Sequence, residues 1–372
     1  MRIQSLQSIL QEKKVSALLV TTPSNIYYLC GFGIALGERS AYMLVTQKSV
    51  YFFTDSRYVS ERLKADLKRQ KIVLKIISRE KNLSVYLLEI SKAEKIKSFY
   101  FEHDDLSVAE FEWLKEKKVP MHWDSIVPPT AGLQNDRLIE SMRTKKDPEE
   151  IKAIKKACEL VDLCLSELLP YLHVGISEKE VLRILSRWFI NNSPTSFDPI
   201  VAIDENAAIP HYDTQTNGEK VAKSESIMLI DCGISYNRYA SDITRMFAFG
   251  TPSQRIRKAY EILKQVQDDA VVDLSQMKFY KEADEKCRNS LKTAGFPPFE
   301  HALGHGIGID VHELPHFSPR NNDTIEEGHV VTVEPGIYIL GAWGMRLEDT
   351  VVVGKNKQVI RLTKTSREMI II

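Results

Sequence analysis

Between His301 and Asp349 the chain places His301, His305, His312 and His316, with Glu334, Arg346 and Glu348, among glycines and short apolar runs. A simple core tolerates neither unpaired charge nor bare backbone, so this stretch reads as half of a metal site. The other half lies upstream. Asp231 ends the apolar run I-M-L-I-D, a turn with Gly233, Ser235 and Asn237 follows, and Asp242 stands eleven residues on in a second strand-like segment. Two strands joined by that turn can bring Asp231 and Asp242 side by side. Glu334 and Glu348 repeat the pattern, the first ending V-V-T-V-E and the second following a glycine-containing turn in R-L-E-D-T.

Four carboxylates brought together repel one another, and their pKa values rise unless cations hold them. Two divalent ions would cancel the four charges. With the neutral imidazole of His305 the set is oxygen-rich with one nitrogen, which suits manganese or cobalt, then zinc or iron, better than a thiolate site would. Two ions about 3.5–4 Å apart can share a hydroxide that is nucleophilic at neutral pH and polarise a carbonyl, the chemistry of amide hydrolysis. The tetrahedral intermediate needs a donor for its oxyanion, and His312, seven residues past His305, is the nearest candidate. Taken singly, Asp231 or Asp242 reads as a turn former and a lone histidine as a surface residue; five such ligands together do not. Cys232 reads as a small buried thiol, and Asp310, Glu313 and Asp349 as supporting residues. His301 and His329 take no assigned role.

The elements that must carry these residues follow from periodicity. Ile3, Leu6, Ile9 and Leu10 fall at helical spacing ahead of the apolar run V-S-A-L-L-V, an α/β opening. Y-M-L-V-T, S-V-Y-F-F-T-D, K-I-V-L-K-I-I and K-S-F-Y-F-E read as further strands, with a charged helix around 57–69. Ser125 to Gly132 breaks both periodicities with two prolines and a glycine, as a linker does, which places domains at 1–128 and 129–372. Asp147-Pro148-Glu149-Glu150 is a helix start with cap, proline and capping-box glutamate, and Ser177 to Glu180 repeats the capping box. Strands are expected over 198–204, 226–233 and 239–250, then a long helix after Pro252 and another over 278–294. Helix pair followed by strands thus occurs twice, a weak sign of duplication.

The length of 372 residues favours two domains, and 43% apolar with 27% charged residues suits globular cores. Lys+Arg and Asp+Glu balance at 50 each, which leaves no bulk attraction to nucleic acid or an anionic membrane. No apolar run has the length of a membrane span. Gln, Glu and Lys interrupt the first residues where a signal peptide needs an apolar core, and the five cysteines lack paired spacing. A cytoplasmic protein with reduced thiols is expected.

The pieces I-D-C-G, Y-A-S-D-I-T-R, G-H-G-I-G-I-D-V-H-E, T-V-E-P-G-I-Y and R-L-E-D-T together resemble the pita-bread metallopeptidases, which include prolidase, aminopeptidase P and methionine aminopeptidase. N-I-Y-Y-L-C-G-F-G and F-F-T-D-S-R-Y look like the N-terminal domain of the creatinase and prolidase branch, so the likeness covers nearly the whole chain. It implies an α/β N-terminal domain followed by an α+β pita-bread catalytic domain. It also implies two metal ions on Asp231, Asp242, His305, Glu334 and Glu348, with Asp242 and Glu348 bridging and Glu334 also a proton shuttle. By the same resemblance His211 of I-P-H-Y closes over the substrate, His312 contacts the scissile peptide, and Arg346 braces the last ligand. Proline-containing peptides are the implied substrates and a homodimer the implied assembly. Many sequences of this type carry an arginine shortly after V-H-E-x-P; here His316 takes that place, a weaker and pH-dependent anion partner, and Arg320 differs in spacing. The Xaa-Pro bond is a tertiary amide without an N–H, so a site of metals, imidazoles and an apolar pocket suits it. A creatinase-like amidinohydrolase and a non-catalytic binding module are the competing readings; both would lack the metal ligands.

Overall fold

The computed structural model describes residues 2–33, 41–122, 137–317, 319 and 322–372. The expected linker at 125–132 and the expected boundary at 128/129 lie outside the described residues, as does Arg320. The chain divides into two compact units, Met1–Met142 and Arg143–Ile372.

In the first unit β1 (Ala17–Val20), β2 (Ala41–Thr46), β3 (Val50–Asp55), β4 (Val73–Ile77) and β5 (Tyr100–Phe101) form one mixed sheet in the order β4-β3-β2-β1-β5. Around it lie α1 (Arg2–Glu12), α2 (Pro23–Cys30), α3 (Glu61–Arg69), α4 (Leu83–Glu94) and α5 (Val108–Glu116). Phe53, Leu87, Phe99, Phe111 and Leu114 fill the core between sheet and helices. The charged helix expected over 57–69 is shorter, because Ser60 caps it through a bond from Leu63 N and Ser56–Tyr58 form a separate 3-10 turn. Helix α2 has no local side-chain cap. Its start is held by Glu102, whose Oε2 accepts from the amides of Thr21 and Thr22 at 2.6 and 2.7 Å. A cap supplied from about eighty residues away leaves no mark in the local sequence, which is why the helix is not legible there.

The helix α6 (Leu138–Thr144) leads to the second unit, where Asp147 and Ser177 form capping boxes at the starts of α7 (Pro148–Leu168) and α8 (Glu178–Asn192). Then come β6 (Ile200–Ile203), the short α9 (Thr214–Asn217), β7 (Ile227–Cys232), the small hairpin of β8 (Ser235–Tyr236) and β9 (Tyr239–Ala240), and β10 (Ile243–Ala248). A second helix pair, α10 (Gln254–Gln276) and α11 (Tyr280–Thr293), precedes β11 (His305–Gly306), β12 (Glu313–His316), β13 (Val330–Val333), the hairpin β14 (Gly336–Ile339) and β15 (Trp343–Arg346), β16 (Asp349–Val353), β17 (Val359–Arg361) and β18 (Ile370–Ile371). The sheets run β18-β10-β7-β6 and β12-β11-β13-β16-β17. Leu229 and Met246 from the first sheet pack in one core with Leu263 and Leu274 of α10 and Val331 and Val351 of the second sheet. Each sheet is centred on an antiparallel pair. In β7/β10 Asp231 faces Thr244, and in β13/β16 Val333 faces Asp349, so both pairs deliver carboxylates from the ends of apolar strands.

Candidate metal centre

Asp231 lies on β7, Asp242 just before β10, His305 on β11, Glu334 just after β13 and Glu348 between β15 and β16. All five line one cavity of about 1130 Å³, together with His211, His312, His316 and Arg346. Asp242, His305 and Glu348 make the tightest group, each offering an atom within 4.8 Å of the others. His305 Nε2 stands 3.3 Å from Glu334 Oε1 and 3.8 Å from Asp242 Oδ2. Its Nδ1 is 3.1 Å from the carbonyl of Gly306, so Nδ1 carries a proton and Nε2 is the atom aimed among the carboxylates. Burial lowers the imidazole, but the hydrogen bond and charge of Glu334 raise it above its ordinary value. Without a metal Nε2 is therefore protonated too, and a cation would take the place of that proton.

The glycines beside His305 are there for backbone approach. A Cβ on Gly304 would stand 2.0 Å from the carbonyl oxygen of Thr332, and one on Gly306 would stand 2.1 Å from that of Leu314. Only glycine lets β11 come this close to its neighbours on both sides of His305.

Arg346, almost wholly buried, spreads its guanidinium over the site. Nη2 donates to Asp231 Oδ2 at 2.5 Å, Nε to Thr244 Oγ1 at 3.0 Å, and Nη1 to the Pro210 carbonyl at 3.1 Å and the Tyr338 hydroxyl at 3.3 Å. Thr244 passes its own proton to Glu348 Oε2 at 2.7 Å. One oxygen each of Asp231 and Glu348 is therefore satisfied. Among the described residues the opposite oxygens, Asp231 Oδ1 and Glu348 Oε1, find no hydrogen-bond donor, and neither does Asp242 Oδ1; all three are buried. A buried acceptor left unpaired costs on the order of 1–3 kcal/mol, more when charged. Three such oxygens on residues that line one cavity with an imidazole nitrogen aimed among them fit divalent cations.

The electrostatics agree. Burial, then the neighbouring carboxylates Glu348 and Asp231, pushes Asp242 well above the usual carboxylate range. Burial also raises Glu348 well above that range, with Glu334 and Asp231 adding to it and Arg346 opposing, and it raises Asp231 against the pull of Arg346. Glu334 goes the other way: burial would raise it, but the hydrogen bond and charge of His305 hold it down at about 2.

Behind these carboxylates, Arg245 and Asp349 form an ion pair at 2.7 Å with both side chains fully buried. Arg245 Nη1 also donates to the carbonyls of Thr244 and Glu348, fixing the backbone that carries two site residues. Asp349 thus serves the frame. Glu313 likewise pairs with Lys146 at 2.6 Å and with Arg143, which also reaches Asp310. Cys232 is a fully buried free thiol, and His329 bonds to the Tyr280 hydroxyl.

Around the rim, His312 packs its ring 4.3 Å from that of His305, His316 lies opposite His305 across the β11/β12 pairing, and His211 is exposed in the loop after β6. The sequence reading passed over His301. Its Nδ1 donates to the Ala302 carbonyl at 2.8 Å, its Nε2 accepts from the Tyr338 hydroxyl at 2.9 Å, and it lies 4.0 Å from Glu334. Thr244, Arg245 and Tyr338 were also missed; a signal for Arg245 exists, a lone arginine inside the apolar run I-T-R-M-F-A-F.

Comparison with known proteins bears on the same residues. Residues 152–355 match metallopeptidase family M24, and residues 2–143 match the creatinase/prolidase N-terminal domain. The chain is 31% identical to an Xaa-Pro dipeptidase of Pyrococcus horikoshii over 99% of this chain and 98% of the relative. Among solved structures it resembles an Xaa-Pro dipeptidase from Bacillus anthracis (30% identity, TM-score 0.87, 100% of this chain and 99% of the other). It also resembles an X-Pro aminopeptidase from Thermotoga maritima (26% identity, TM-score 0.81, 97% and 100%). With the fold, the matched segments and the carboxylate cavity in agreement, the chain belongs to metallopeptidase family M24, carrying a creatinase/prolidase-type N-terminal domain ahead of its catalytic domain.

Proposed function

We propose that the protein hydrolyses Xaa-Pro bonds, in dipeptides or at the N-terminus of short peptides, as a dinuclear metallopeptidase using manganese or cobalt. The observation that carries this reading is one cavity lined by His305 and by three buried carboxylates, Asp231, Asp242 and Glu348, each with an oxygen that finds no hydrogen-bond donor among the described residues. Family membership and the named relatives support the substrate class. When bound, a divalent metal pair supplies an activated water and a polarised carbonyl. The chain's own residues do the rest. Glu334, held ionised by His305 in the metal-free chain and by the cations once they are bound, accepts a proton on its carboxylate and returns it to the departing proline nitrogen. His312 donates to the scissile carbonyl oxygen, His211 covers the substrate at the exposed edge, and Arg346 keeps the Asp231 carboxylate turned toward the cavity. Leu182, Phe189, Phe197 and Ile200 give the cavity an apolar wall suited to a pyrrolidine ring.

The decisive assay compares Xaa-Pro dipeptides with Xaa-Pro-Xaa tripeptides on the manganese-loaded protein, with and without chelator. Turnover of either, lost on chelation and restored by metal, is the expected result; hydrolysis of neither overturns the reading. His316 sets the chain-length preference in this proposal. His316→Arg should raise kcat/KM for dipeptides about tenfold relative to tripeptides, since a bidentate arginine adds roughly 1–2 kcal/mol against a free carboxylate. An unchanged ratio removes His316 from specificity.

The free, buried state of all five cysteines supports a cytoplasmic location, and among the described residues no helix is long and apolar enough to cross a membrane. We expect a homodimer from the family resemblance, a point light scattering settles.

A further inference from the structure

The loop that carries His211 is stapled along its length by one side chain outside the cavity. Glu178, the first residue of α8, has a carboxylate that is fully buried. Its Oε1 accepts from the backbone N–H of Ile203 at 2.7 Å and from Asn206 Nδ2 at 3.0 Å. Its Oε2 lies 3.1 Å from the Tyr212 hydroxyl, 3.2 Å from Asn206 Nδ2 and 3.3 Å from the backbone N–H of Lys220. These donors come from the start, the middle and the end of segment 203–220. The first backbone amides of α8 add to the hold: those of Glu178 and Lys179 donate to the carbonyls of Lys220 and Gly218, each at 3.0 Å. Tyr212 has one proton for two acceptors, since its hydroxyl is also 2.7 Å from the Asn217 carbonyl, and it receives one from Asn206 at 2.9 Å.

His211 itself is exposed, but both its neighbours are fixed. Pro210 gives its carbonyl to Arg346, and Tyr212 is buried against Glu178 and Asn206. The turn before it is clamped from the other side as well, because β15 passes so near that a Cβ on Gly344 would meet the Ala207 carbonyl oxygen at 1.9 Å. An exposed imidazole with an immobilised backbone on either side has its reach set by whatever holds that backbone. The capping box of Ser177 and Glu180 already satisfies the helix start, so burying a further carboxylate at Glu178 is not required to begin α8.

We propose that Glu178 is a positioning residue for His211, acting through Asn206 and Tyr212 on the loop that closes one edge of the cavity. The proposal rests on the reading of His211 as the group that covers the substrate. Two variants test it in the full-length, manganese-loaded protein. Glu178→Gln keeps the volume but must turn an NH₂ group toward donors on one side, and Tyr212→Phe removes a single hydroxyl with little threat to folding. Both should leave bound manganese unchanged and raise amide hydrogen exchange within 203–220. On an Xaa-Pro substrate both should lower kcat/KM about 10–100-fold, as loss of a supporting hydrogen-bond partner does at other sites. In a His211→Ala background the same changes should cost little more, because residues that act through one another are not additive. Full additivity with His211→Ala overturns the positioning role, and unaltered exchange in 203–220 overturns the staple. If His211→Ala alone is silent, the reading of His211 fails, and the exchange measurement decides the staple by itself.

Discussion

Glu334→Gln, assayed with saturating manganese on an Xaa-Pro substrate, is expected to lose about 10²–10⁴-fold in kcat, the range of a lost general acid-base group. The substitution is close to isosteric. An amide oxygen can still accept the hydrogen bond that Thr332 Oγ1 makes to Oε1 at 3.3 Å. What disappears is the negative charge beside His305 Nε2 and the oxygen that would carry a proton from the nucleophilic water to the leaving nitrogen. In the metal-free chain His305 holds Glu334 at about 2; with manganese bound the cation would take over that role, so the wild-type group stays ionised and ready to accept. Elemental analysis separates the two contributions: a variant that keeps its full metal content and is still slow has lost the proton carrier. A fully loaded variant that retains more than about a tenth of wild-type kcat would remove Glu334 from proton transfer.

Metal removal should act on stability as strongly as on activity, and in a pH-dependent way. Asp231, Asp242 and Glu348 all have folded pKa values raised by burial and mutual repulsion. The metal-free folded state therefore binds protons that the unfolded chain has released. Its stability is fully present below the unfolded carboxylate range, about pH 4, and is lost as pH rises through the folded values. His305, also raised, adds to this trend. Glu334, lowered, works the other way only below the ordinary carboxylate range, and His301 and His312, lowered mainly by burial, oppose it only below the ordinary imidazole range. Chelated protein should thus melt at progressively lower temperature as pH rises above the ordinary imidazole range, about 6.5, where only the raised groups still titrate. Protein with saturating metal should hold its Tm, because cations replace the protons. A ligand at a thousand times its Kd contributes about 4 kcal/mol, enough to read by calorimetry. A gap between the two forms that stays constant or narrows as pH rises would show that the carboxylates are not held in this strained, cation-requiring state.

The parts of this molecule legible in the sequence share a physical cause. Asp231, Glu334 and Glu348 stand at the ends or beginnings of apolar strand runs, where a carboxylate has no ordinary reason to be. The capping boxes at Asp147 and Ser177 are local, so the helices they start were readable to the residue. Contacts across long separations were not readable. Glu102, just past β5, caps α2 from about eighty residues away, Glu178 reads in sequence as one more acid in a capping-box region, and Arg245 meets Asp349 across 104 positions. His301 looks like any lone histidine until the fold sets it between Tyr338 and Glu334. The charged helix of the first unit was drawn too long because Ser60, a cap, sits inside a run of helix-forming residues.

The placement of ligands on two strand pairs from two different sheets has a mechanical side. An ion held by Asp242 and Glu348 closes a chain loop of about a hundred residues, as a disulfide of the same span would, and loop closure of that length removes a large part of the freedom of the opened chain. A metal bound there would then also be a reversible rivet between the two halves of the catalytic unit. Its loss should show as faster nicking by a protease well away from the cavity, in the segments that join one sheet to the other.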